Sequence, residues 1–347
     1  MEPINLNDYE ALAQTRVEPI AWDFIQGGSD DEVTLRANCS AFERIWLRPR
    51  MLVNGTTCDL STTVLGTPVS MPILVAPTAY QCLAHPEGEC ATAHGTGMAN
   101  SLMIASAFST RTLEDIAASA SGSLWFQLYL YRNLEVSGEV VRRAEAAGYR
   151  AIVLTVDLPR LGNREKDTRN NFSLPSHMNL ANFPVEKAEA EELKIALPFT
   201  PTWETLDWLK TVTSLPILVK GILTAEDARL ALERGVAGII VSNHGGRQLD
   251  SAIASIEALP EITEAVAGRC EIYLDGGIRR GTDVLKALAL GARAVLVGRP
   301  AFWGLAVNGA QGVQHMLEIL RTELELAMVL SGHYSLETID RSLVKWV

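Results

Sequence analysis

Eight short apolar runs, most of them rich in β-branched residues, are spaced along this chain so that a helix fits between neighbours: Pro72–Pro77, Leu102–Ala107, Leu124–Tyr129, Ala151–Asp157, Pro216–Gly221, Gly238–Asn243, Glu271–Gly277 and Ala294–Arg299. Helix-like segments lie between them, such as Val136–Ala147, Ala225–Arg234 with Thr224 as N-cap, and Thr282–Leu290, which ends at Gly291. Strands that alternate with helices imply parallel β-α units, and eight of them imply a closed (β/α)8 TIM barrel of the α/β class. A doubly wound sheet would carry its phosphate loop after the first strand, whereas the Gly-rich stretches here follow the sixth and seventh. We therefore expect a single barrel domain over residues 1–347.

Residues 1–70 precede the first run and show helical patterns at Pro19–Gln26, ending at Gly27-Gly28, and at Asp31–Phe42. They read as a helical extension covering one end of the barrel. The longest gap separates the fourth and fifth runs. Within it, Ser176–Thr202 mixes prolines with the charged run Glu186-Lys187-Ala188-Glu189-Ala190-Glu191-Glu192. A solvated helix face is the simple reading of such a run, and an active-site lid loop over 176–202 is the reading its place at the catalytic end suggests.

A net charge of -11 argues against nucleic acid or an anionic membrane as partner, so an anionic substrate would need arginines and lysines gathered at its own site. The five cysteines show no C-x-x-C spacing, and no metal-ligand spacing occurs, so no metal is expected. Neither a secretory N-terminus nor an apolar run of transmembrane length is found, and Lys345-Trp346-Val347 is not a peroxisomal tripeptide. The expected location is the cytoplasm.

In such a barrel the active site lies at the C-terminal ends of the strands. Those positions are polar here: Pro77-Thr78-Ala79, Ser106, Gln127 and Tyr129, Thr155 and Asp157, Lys220, Ser242 and His244, Asp275, Gly298-Arg299. His244-Gly245-Gly246-Arg247 sets a proton acceptor and an anion fork in one loop, as needed to hold and deprotonate a small carboxylate. Asp275-Gly276-Gly277-Ile278-Arg279 reads as a phosphate cradle whose glycines let backbone N–H groups approach an anion and whose following helix offers its positive end. Together these features suit a phosphorylated planar cofactor across the barrel mouth. Flavin mononucleotide and a phosphosugar both satisfy that description.

Ser242–Asp250, Leu215–Gly221, Thr155-Val156-Asp157, Leu274–Gly281, Pro77-Thr78-Ala79 and Phe126–Tyr129 resemble the FMN-dependent 2-hydroxy-acid oxidase and dehydrogenase family, almost end to end and least well between Ser176 and Thr202. The resemblance implies FMN as cofactor, lined by Pro77, Thr78 and Ala79 and hydrogen-bonded by Ser106, Gln127, Thr155 and Ser242. Lys220 would face the flavin pyrimidine, and Asp275, Gly276, Gly277, Arg279, Gly298 and Arg299 would hold the phosphate. It further implies His244 as base, Asp157 as its orienting carboxylate, Arg164 and Arg247 as ligands of the substrate carboxylate, and Tyr129 as the hydroxyl touching the substrate oxygen. Two positions depart from glycolate oxidase: Phe24 replaces a tyrosine and Phe108 a tryptophan, which with Leu161 and Tyr80 implies a roomier, more apolar pocket.

The expected activity is oxidation of an (S)-2-hydroxy acid with an apolar or aromatic side chain to the 2-oxo acid, with oxygen reduced to hydrogen peroxide. A dehydrogenase using a quinone or another carrier, and a non-catalytic flavin-binding barrel, are the rival readings. A homotetramer or octamer is implied by the same resemblance.

Overall fold

The protein was analysed as a computed structural model, which describes residues 2–55, 57–131, 133–182 and 200–347. Eight parallel strands close a barrel: β1 (Ile73–Val75), β2 (Met103–Ser106), β3 (Leu124–Leu128), β4 (Ile152–Thr155), β5 (Ile217–Ile222), β6 (Gly238–Val241), β7 (Glu271–Asp275) and β8 (Ala294–Val297). All eight apolar runs are strands, and β8 returns to β1 through Val295 opposite Ile73 and Val297 opposite Val75. The extension holds α1 (Leu6–Gln14), α2 (Pro19–Gln26) and α3 (Val33–Glu43). After the strands run α4 (Gly88–Met98), α5 (Leu113–Ser119), α6 (Leu134–Ala146), α7 (Glu165–Arg169), α8 (Trp203–Val212), α9 (Ala225–Glu233), α10 (Ser255–Val266), α11 (Gly281–Ala289) and α12 (Arg299–Leu330).

Period-two alternation sorts the strand residues. One set, including Ile73, Met103, Phe126, Ile152, Val219, Ile239, Leu274 and Val295, joins the large core that also contains the helices. The other set, including Leu74, Ile104, Trp125, Val153, Leu218, Ile240, Tyr273 and Leu296, forms a second cluster that fills the barrel. Two residues further along that second set stand Ser106, Gln127, Thr155, Lys220, Ser242, Asp275 and Gly298. The apolar plug thus ends in a polar ring, and the ring is the floor of the site.

The extension does more than cover one end. Its hairpin, Thr62–Val64 paired with Thr67–Val69, places Val64 and Val69 in the barrel-filling cluster at the N-terminal side of the strands. Meanwhile α2 contributes Phe24 and Ile25 to the wall of the cavity at the other end. The helix read as starting at Asp31 starts at Val33, because Asp30 and Glu32 take left-handed backbone (φ 46° and 58°) that a helix cannot continue. Among the described residues no helix is long and apolar enough to cross a membrane.

Candidate active site

The strand ends and the loops after them enclose a cavity of about 740 Å³. At its centre His244 makes two contacts, Nδ1 to Asp157 Oδ1 at 2.9 Å and Nε2 to the Tyr129 hydroxyl at 3.3 Å. An ionised carboxylate only accepts, so the proton of the neutral ring sits on Nδ1 and the lone pair of Nε2 faces Tyr129. Burial pulls the His244 pKa down and Lys220 pulls the same way; Asp157 opposes them without reversing the shift. The ring is therefore an unprotonated base at neutral pH. Burial raises the Asp157 carboxyl, but His244 and Lys220 together hold it below the usual carboxylate range.

Local backbone fixes this arrangement. His244 itself takes left-handed φ of 59°, and its N–H donates to Ser242 Oγ at 3.0 Å. Gly221 sits at φ 112° beside a register shift in β5, and a Cβ there would lie 2.5 Å from Asp157 Cβ. Only glycine lets Asp157 approach Lys220 and His244 so closely.

Lys220 spans the floor, donating to Ser242 Oγ at 2.8 Å and pairing with Asp275 Oδ2 at 3.1 Å. Burial would lower the Lys220 pKa, but Asp275 and Asp157 outweigh it and the ammonium is stabilised. Next to it, Ser106 Oγ donates to Gln127 Oε1 at 3.1 Å and Gln127 Nε2 donates to Thr155 Oγ1 at 2.9 Å.

Four arginines face the cavity, and none has an ion-pair partner among the described residues. Arg247 Nη1 donates to the carbonyls of Phe24 and Gly27 at 2.6 and 2.7 Å, and its guanidinium lies 4.9 Å from the Phe24 ring centre. Burial, Arg164 and Arg299 all lower its pKa. Arg164 Nε reaches the Arg247 carbonyl at 3.4 Å. Arg299 donates to the carbonyls of Ile25, Gly245 and Gly27, and burial beside Arg279 lowers its pKa to about 10. Arg279 lies over the Trp303 ring at 4.8 Å.

Nearly every predicted site residue lines this one cavity: Phe24, Pro77, Thr78, Ala79, Ser106, Phe108, Tyr129, Thr155, Leu161, Arg164, Lys220, His244, Arg247, Asp275, Gly276, Gly277, Arg279, Gly298 and Arg299. Gln127, Asp157 and Ser242 stand one layer behind the wall, bonded to Ser106 and Thr155, to His244, and to Lys220 respectively. One detail of the expected phosphate cradle is corrected. The N–H groups of Arg279 and Arg280 are taken by Asp283 Oδ2 and that of Gly281 by Glu323, so these three amides at the entry to α11 are not offered to an anion; the helix that opens on the cavity is α12, at Gly298-Arg299. Gly277, which lines the cavity, is also required by packing: at φ 84°, a Cβ would lie 1.9 Å from the Asn38 carbonyl of α3.

The sequence reading missed part of the wall. Phe172 stacks on Phe24 at 4.4 Å, and Tyr131, Asp167, Met178 and Leu180 also line the cavity. These residues follow no period, so the sequence carries no local signal for them. Of the stretch read as a lid, 176–182 is described and contributes to the cavity wall, whereas 183–199, including the charged run, lies outside the described residues.

The cavity suits FMN on its own evidence. Five cations and two carboxylates line its described wall, an excess of positive charge that a phosphate dianion and one carboxylate would balance. Asp275 Oδ1 is buried without a donor, as expected of an acceptor that waits for a ligand hydroxyl. The wall also combines apolar surface with a few convergent polar groups, as small-molecule sites do.

A profile of the FMN-dependent dehydrogenase family matches residues 13–346. The chain is 50% identical to an L-lactate oxidase of Nostoc sp., over 99% of this chain and 98% of that protein. It is 49% identical to glycolate oxidase of Spinacia oleracea, over 99% of this chain and 95% of that protein. Among solved structures, a mandelate oxidase variant with (S)-mandelic acid superposes with a TM-score of 0.94 at 45% identity, covering 100% of this chain and 99% of that one.

Proposed function

The chain belongs to the FMN-dependent dehydrogenase family, and from that premise we propose that it oxidises an (S)-2-hydroxy acid bearing an apolar or aromatic side chain to the 2-oxo acid, passing the electrons to oxygen to give hydrogen peroxide. One observation carries the reading: an unprotonated His244, backed by Asp157 and touching Tyr129, opens on the same cavity as two arginines that form no salt bridge among the described residues.

Bound FMN supplies the two-electron acceptor that oxidation of a 2-hydroxy acid requires. Lys220, Arg279 and Arg299 are the residues that would hold it, the lysine at the ring and the arginines at the phosphate. Arg164 and Arg247 bind the substrate carboxylate, and their planar forks fix its orientation. Tyr129 offers its hydroxyl to the substrate oxygen. His244 Nε2 accepts the proton released by oxidation, and Asp157 stabilises the resulting imidazolium through Nδ1–H.

The substrate side chain would meet Phe24, Phe108, Tyr80 and Phe172, an aromatic wall in which Phe24–Phe172 and Phe108–Tyr129 centroids are 4.4 and 4.6 Å apart. Such a wall favours an apolar or aromatic substituent over the hydrogen of glycolate. A cytoplasmic setting and a homotetramer or octamer complete the reading, supported by sequence composition and by the family likeness.

The test is anaerobic titration of the yellow holoenzyme with L-lactate, (S)-mandelate, 2-hydroxyoctanoate and glycolate, followed by air. Bleaching by the apolar acids and rapid recovery with peroxide release is expected. Absence of bleaching by all four would overturn the oxidation, and bleaching with recovery only on a quinone would replace oxygen as acceptor.

A further inference from the structure

The cavity wall contains two carboxylates, and only one of them is paired. Asp275 is bound to Lys220 at 3.1 Å, whereas Asp167 forms no salt bridge among the described residues. Asp167 stands in the first turn of α7, three positions after its N-cap Arg164, and both line the cavity together with Arg247. The charged groups that act on Asp167 come from each element packed around it: Arg164 at the head of its own helix, Arg247 in the loop after β6, and Asp23 on α2. Burial pushes the Asp167 carboxyl up, the two arginines pull it down, and Asp23 adds to the upward push. Conversely, Asp167 helps both Arg164 and Arg247 keep their protons.

A carboxylate within electrostatic reach of two arginines changes what those arginines offer to a ligand. Two cations alone attract a dianion more strongly than a monoanion. With one fixed negative charge beside them, every negative charge on the ligand also meets a repulsion, so a dianion meets it twice and a neutral ligand not at all. We propose that Asp167 is a specificity-determining residue, a built-in countercharge that tunes the Arg164–Arg247 pair to a monocarboxylate and selects against 2-hydroxy dicarboxylates. The proposal rests on the reading of Arg164 and Arg247 as the carboxylate clamp. It assigns Asp167 no contact with the reacting atoms.

A ladder of three non-reducing probes separates charge from shape: 2-hydroxyacetamide, acetate and oxalate at pH 7, each titrated into the holoenzyme and read by perturbation of flavin absorbance. In Asp167→Asn, the dissociation constant should be unchanged for the amide, fall about five-fold for acetate, and fall roughly twenty-five-fold for oxalate, the square of the single-charge effect. Asp167→Ser should follow Asp167→Asn, and Asp167→Glu should keep the wild-type ladder. A similar shift for all three probes would overturn the proposal, since a purely steric or structural role cannot count ligand charge. So would loss of folding or of flavin in both neutral variants with retention in Asp167→Glu. A wild type that binds neither acetate nor oxalate would instead defeat the underlying clamp, whether or not a hydroxy acid bleaches the flavin.

Discussion

The side-chain amides of Asn38 and Asn243 bond each other reciprocally, Nδ2 of Asn38 to Oδ1 of Asn243 at 2.8 Å and Nδ2 of Asn243 to Oδ1 of Asn38 at 2.7 Å. Both are buried, at 2% and 4% exposure. Asn243 directly precedes the base, and its Oδ1 also accepts the Gly246 N–H at 3.2 Å. The main chain of Asn38 meanwhile presses on Gly277. A helix of the extension thus ties the loop after β6, which carries His244, to the loop after β7, which carries Gly277. Asn38→Leu keeps the branching of the side chain but removes both bonds to the Asn243 amide, which retains only the Ile253 carbonyl and the Gly246 N–H, so a loss of about 1–3 kcal/mol in stability is expected. Reduction by substrate should slow as well. Denaturant unfolding of the holoenzyme checks the first; a midpoint equal to wild type would show that the amide pair carries no stability.

His244→Gln should retain its colour and be reduced by substrate roughly 10²–10⁴-fold more slowly. The wild-type kcat/KM profile provides an independent check. The base works unprotonated and its pKa is lowered by burial, so activity should hold at neutral pH and fall as pH drops through a value below 6.5. Asp157 raises that pKa, so Asp157→Asn should move the acid limb to still lower pH while lowering the plateau. A limb that moves upward would mean that another group titrates.

Arg247→Lys should raise KM by tenfold or more with a smaller effect on kcat. The native guanidinium bonds two carbonyls of α2 and its exit while covering the Phe24 ring, and a lysine cannot hold those contacts and a bidentate carboxylate together. Steady-state kinetics with lactate and lactamide measures the effect. The wild type should discriminate strongly against the amide, and the variant only weakly.

Phe24→Tyr should improve glycolate relative to larger acids. A hydroxyl added at this wall contributes about 0.5–1.5 kcal/mol if it reaches the substrate carboxylate, whereas each buried methylene of a longer substrate contributes about 0.8 kcal/mol. Ratios of kcat/KM for glycolate, lactate, 2-hydroxyoctanoate and mandelate provide the measurement. A wild type that prefers glycolate would remove Phe24 and Phe108 from the determinants of specificity.

The barrel was legible because each strand lies in a short apolar run with room for a helix before the next, and the polar floor was legible because period two carries Val153 to Thr155 and Leu218 to Lys220 on one face. Thr224 was legible as an N-cap, and its side chain does accept from the Asp227 N–H. What escaped depends on contacts distant in sequence. Nothing local to Gly277 announces that Asn38 lies against it, and nothing in the α11 sequence reveals that Glu323 caps its first turn. Phe172 meets Phe24 only because α7 folds back on α2.

The short strand Ile45–Leu47 pairs antiparallel with Val344–Trp346, and Arg299 reaches back to the carbonyls of Ile25 and Gly27. These N-terminal segments therefore dock only on residues about 270 to 300 positions further along, and β1 likewise depends on β8. Contacts of such long sequence separation form slowly and leave apolar surface uncovered meanwhile. The cofactor pocket is accordingly assembled only once β8 and Arg299 have joined β1 and the end of α2, so a supply of FMN during refolding should raise the yield of native protein more than the same FMN added afterwards.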